Sequence, residues 1–71
     1  MVPLGQEVRV SRRCYDPDLH DAVGIVANPP AGVADRSSEG ILWVEFDDMI
    51  VSENGNPIDA AEVDADDLDP L

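Results

Sequence analysis

Residues 41–46 read Ile41-Leu42-Trp43-Val44-Glu45-Phe46. In an extended chain Leu42, Val44 and Phe46 project to one side and Ile41, Trp43 and Glu45 to the other, the period-two alternation of a half-buried β-strand. Upstream, Gly5-Gln6-Glu7-Val8-Arg9-Val10-Ser11 alternates in the same way, which predicts a first strand over 6–12. The β-branched run Ala22-Val23-Gly24-Ile25-Val26-Ala27 predicts a second, ended by Asn28-Pro29-Pro30-Ala31-Gly32, because proline lacks the N–H that a ladder needs. Residues 28–40 then read as a loop. Downstream, after Asp47-Asp48, Met49-Ile50-Val51 leads into the turn, and Asn54-Gly55 predicts a hairpin pairing 49–52 with 57–60 through a type I′ turn. The tail has two readings. Asp59-Ala60-Ala61-Glu62 has capping-box spacing and opens a helix over 60–68. Alternatively, Ala61, Val63 and Ala65 alternate with Glu62, Asp64 and Asp66 as a strand, followed by one helical turn at Asp66-Asp67-Leu68; the strand is preferred.

These short strands lie in a chain of 71 residues, room for one domain, 1–71, without an internal linker. Its 44% hydrophobic content is that of a folded domain. No apolar run approaches the ~20 residues of a membrane-spanning helix, and no basic start followed by an apolar run suggests a signal peptide, so a soluble cytoplasmic protein is expected. The single cysteine, Cys14, excludes an internal disulfide. The formal charge is −12, and it is unevenly distributed: residues 1–36 carry four arginines against five acids, whereas from Ser37 onward there are eleven acids and no Arg or Lys. Such a chain is repelled by nucleic acid and attracted to basic protein surfaces.

The order of these features resembles the small SH3-like β-barrels: a Gly-x-x-Val-Arg-Val opening, a Gly-Ile-Val second strand, a variable loop, Trp-Val-Glu-Phe-Asp-Asp and a closing Asp-Asp-Leu. Among them it is most similar to accessory chains such as the variable chain of ferredoxin:thioredoxin reductase, the small barrel protein of the photosystem reaction centre and the barrel domain of the nitrile hydratase β chain. The resemblance implies a mainly β fold of four to five short strands, with Gly5 at the turn into strand one, Gly24 at a close approach inside strand two, and the Asp66-Asp67-Leu68 turn at barrel closure. The acidic second half departs from the basic or mixed surfaces of those families.

Few residues offer chemistry. Cys14 lies beside Arg12 and Arg13, whose charge favours a thiolate, and His20 is the only histidine; together they are the sole basis for a small enzyme or redox protein. The plainer reading of Cys14 is a small packed residue at the end of strand one. Asp16, Asp18, His20 and Asp21 crowd metal-ligand types into six residues, but lack the glycine and distal glutamate of a calcium loop, as does Asp64-Ala65-Asp66-Asp67. Turn chemistry accounts for both stretches. No catalytic residue, metal or cofactor is therefore expected.

The expected site is a docking surface. If Leu42, Val44 and Phe46 face the core, Trp43 faces out beside Glu45 and Asp47 as an interface anchor; in the inverted register Trp43 is the core aromatic. Glu62, Asp64 and Asp66 recur at i, i+2 and i+4, a same-face row of carboxylates at ~6.8 Å spacing. The expectation is a non-catalytic acidic module that docks on a basic protein, as an accessory or regulatory subunit of a larger enzyme complex. Its rival is a DNA mimic, an inhibitor of a nucleic-acid-binding protein.

Overall fold

The computed structural model describes residues 2–71. They form one antiparallel sheet of five strands, β1 (Glu7–Val10), β2 (Val23–Ala27), β3 (Ile41–Val51), β4 (Pro57–Asp64) and β5 (Leu68–Pro70), in the order β4-β3-β2-β1-β5. Single 3₁₀ turns at Pro17–Leu19, Ser37–Glu39 and Ala65–Asp67 are the helical content of the described residues, and no helix among them is long and apolar enough to cross a membrane.

The inner face is built in cross-strand rows. Val8, Gly24 and Phe46 lie abreast on β1, β2 and β3, and Val26, Val44 and Ala61 on β2, β3 and β4. Leu42 faces Val63, and Val10 faces Leu68. Cys14 and Leu19 from the β1–β2 connection complete the buried set, while Phe46, Ile50 and Ile58 pack at its margin. Val8, Val10 and Val44 are 0% exposed. Gly24 is required at its place: a Cβ there would overlap the Glu45 carbonyl oxygen and come within 2.9 Å of Val44 Cγ1. Its missing side chain lets β2 and β3 approach.

Several boundaries differ from those the sequence predicts. Strand one ends at Val10 because Ser11 turns the chain: its N–H donates to the Asp67 carbonyl at 2.7 Å, and its hydroxyl accepts from Arg13 N–H at 3.0 Å. Strand three extends well beyond the alternating run 41–46. β3 runs on to Val51, and the break is taken up as a register shift between Glu45 and Ile50. The hairpin turn is not type I′. Only Gly55 has positive φ, +84°, and Gly55 N–H donates to Ser52 C=O while Ser52 N–H donates to Asn56 C=O, a longer loop with one left-handed glycine.

In the tail the helix over 60–68 does not form. β4 stays extended to Asp64, whose carboxylate accepts from Asp66 N–H at 2.9 Å and caps the turn at Ala65–Asp67, one residue earlier than predicted. Leu68 then enters β5 and is buried, a pairing with β1 that three residues do not announce. Pro70 is tolerated there because β5 is an edge. No ladder joins β4 to β5 among the described residues, so the sheet is open and not a closed barrel.

Two substitutions test this packing. Val44→Ala removes the centre of a buried row and should cost ~2 kcal/mol. Gly24→Ala adds a methyl where backbone stands and should cost ~1–3 kcal/mol despite the better strand propensity of alanine. Urea melts of both variants check this; a Gly24→Ala protein as stable as the wild type would mean that β2 and β3 are not held so close.

Candidate functional site

The rows of the outer face follow from the same register. Ala27, Trp43 and Glu62 lie abreast, Ile25, Glu45 and Ala60 form the next row, and Ile41 faces Asp64. Leu42 and Val44 are buried on the inner face, so Trp43 is not the core aromatic. It is half-buried on the outer face, with two alanines, Ala27 and Ala60, among its neighbours across the ladders. Pro30, Trp43, Glu45, Asp59 and Ala60 line a shallow hollow there. The indole Nε1 is buried and has no hydrogen-bond acceptor among the described residues. What the ring presents to solvent is therefore carbon.

The predicted carboxylates separate into three positions. Glu45, Glu62 and Asp64 are exposed and share the outer face with Trp43. Asp47 does not join them. The register shift after Glu45 breaks the alternation, and Asp47 lines a different hollow with Asp21, Val23, Asp48 and Met49. Asp66 leaves the strand for the 3₁₀ turn, so the expected row of three acids ends at Asp64. Pro30, Asp59 and Ala60 carried no signal in the sequence, because their proximity to Trp43 depends on the loop path and on β3–β4 pairing.

The loop carrying Pro30 is tied down at Asp35, Arg36 and Ser37. The Asp35 carboxylate accepts from Ser37 N–H at 2.9 Å, and hydrogen bonds from the Ser37 backbone and hydroxyl hold its pKa below the usual carboxylate value. Arg36 reaches Glu39 at 3.5 Å and Glu62 at 3.9 Å, linking this loop to β4.

The residues of the β1–β2 connection are engaged locally. Cys14 is buried, and His20 Nε2 donates to the Cys14 carbonyl oxygen at 2.7 Å, not to the thiol. Arg12 is drawn to Asp21 at 2.9 Å, and its hydrogen bond lowers the Asp21 pKa. Arg13 donates to the Asp66 carbonyl at 2.8 Å and lies 3.6 Å from Asp69. Asp16 accepts from Asp18 N–H at 3.0 Å and caps the turn at Pro17–Leu19. The side chains of Asp16, His20 and Asp21 are thus held by a turn, a carbonyl and an ion pair, and no cluster of three or more His, Cys, Asp and Glu suited to a metal is found among the described residues.

No protein-family model matches the chain, and neither a curated protein nor a solved structure matches it significantly.

The Asp35 cap has a pH signature. A carboxyl whose native pKa is depressed contributes stability above its unfolded pKa, near about 4, and loses it as pH falls through the lower native value. Asp35→Ala should therefore destabilise the fold at pH 6, and its deficit relative to wild type should vanish under acid conditions that protonate the native carboxyl. Paired melts between pH 6 and pH 2 measure this; a deficit independent of pH would exclude the ionised cap.

Proposed function

We propose that this chain is a non-catalytic acidic module that docks on a basic protein surface, working in the cytoplasm as an accessory or regulatory subunit. The observation that carries this reading is the outer face of β3 and β4. Glu45, Glu62 and Asp64 flank Trp43 there, in a chain without lysine whose second half has eleven acids and no arginine after Arg36. A protein surface of this kind attracts cationic partners over a Debye length of ~8 Å and fixes orientation by charge matching. The same charge disfavours direct contact with nucleic acid. Loss of Asp66 from the β4 row leaves a shorter carboxylate array, which favours an accessory module over a DNA mimic.

We read the architecture as an SH3-like small barrel left open between β4 and β5. Support comes from the strand order, from β1 lying between β2 and β5, and from the 3₁₀ turn that leads from β4 into β5.

The test is kinetic. A partner captured from cell extract is purified, and its association is followed with wild type and with the double variant Glu62→Gln/Asp64→Asn at low and physiological salt. Association should slow by ~10-fold in the variant at low salt, with little change in dissociation, and the difference should shrink as salt is added. Equal association rates at low salt would overturn the docking surface.

A further inference from the structure

The hollow at Trp43 has a chemistry narrower than general acidity. Trp43 contributes carbon to it, since Nε1 is turned out of solvent, and Pro30 and Ala60 are the other apolar residues that line it. Its charged lining residues are Glu45 and Asp59. Among the described residues, arginine ion pairs go to Asp21, Asp69, Glu39 and Glu62, leaving Glu45 and Asp59 without a cation. An aromatic carbon surface bordered by unpaired carboxylates complements a ligand that is flat and weakly hydrated on its faces but cationic, with N–H donors in its plane. A guanidinium meets those demands: it stacks on an indole and forks to carboxylates, whereas an ammonium is a compact and strongly hydrated charge.

We propose that this hollow takes an arginine side chain of the partner and so makes the docking surface selective for arginine over lysine. The inference rests on the docking reading above and names the group that the surface recognises. Ala27 lies opposite Trp43 on β2, and Ala60 opposite Glu45 on β4, so small residues neighbour the ring across both ladders.

Trp43 is the only tryptophan, so its emission reports the hollow directly. The intact chain is titrated with hexa-arginine and, at matched ionic strength, with hexa-lysine. Hexa-arginine should change Trp43 emission and bind at least ~5-fold more tightly than hexa-lysine. Glu45→Gln/Asp59→Asn should abolish that preference, while Glu53→Gln/Asp48→Asn, which removes the same charge outside the hollow, should preserve it. Circular dichroism confirms that each variant is folded, and Trp43→Phe, read by calorimetry, supplies a second variant that keeps a ring. Equal binding of the two peptides, or a preference that survives Glu45→Gln/Asp59→Asn, overturns the arginine site yet leaves the docking surface standing. Failure of the docking reading shows separately, as partner association that ignores the Glu62 and Asp64 amides. A preference found only in the wild type and the Glu53→Gln/Asp48→Asn protein supports the site.

Discussion

The approach of β2 to β3 at Gly24 is the contact on which the sheet is organised. With no side chain at this point, the backbone of β2 lies against the Glu45 carbonyl, and Val8 and Phe46 flank the gap on either side in the same row. The neighbouring row, Val26, Val44 and Ala61, is then aligned across three strands and sealed from solvent at its centre. Because the side-chain period is two, setting that row inward sets Trp43 and Glu45 outward. The core and the candidate docking face are the two sides of one register.

Such a core is small for the charge it carries. Among the described residues nine apolar side chains are buried, and the most completely enclosed are valines, so the hydrophobic drive comes from modest groups packed closely and not from aromatic bulk. Sixteen carboxyls must stay hydrated around it. The arginines moderate the repulsion in local pairs, Arg12 with Asp21, Arg13 with Asp69 and Arg36 with Glu39, but these pairs are solvent-exposed and each contributes little. On the acidic face of β3 and β4, Arg36 reaches Glu62 at 3.9 Å, while Glu45 and Asp64 have no arginine partner among the described residues.

Period-two patterning made the strands around Val8, Val26 and Val44 legible, along with the opposite faces of Leu42 and Trp43. It failed where pairing partners, not local pattern, determine conformation. Simple alternation placed Asp47 beside Glu45, yet β4 pairs with β3 through a register shift after Glu45, and that shift takes Asp47 off the expected face. Asp66 read as a strand residue because alternation continued through it, but the Asp64 carboxylate offers its N–H a local acceptor and bends the chain first. β5 is too short to show a period at all. At the candidate site Trp43 and Glu45 were legible by parity, whereas Pro30, Asp59 and Ala60 come to the hollow through a loop path and a ladder that no single segment encodes.

The two kinds of ladder in this sheet also differ in reach along the chain. β3 and β4 meet across a five-residue loop, a closure of microseconds, whereas β1 cannot meet β5 until nearly the whole chain has come round, as the Gln6 side chain bonding the Leu71 carbonyl across 65 positions shows. Arg13 clasps that late seam from one side by holding the Asp66 carbonyl. The acidic hairpin thus rests on local contacts, whereas the β1–β5 seam rests on the longest sequence separation in the sheet, whose loop-closure entropy must be met before its few ladder bonds reward it.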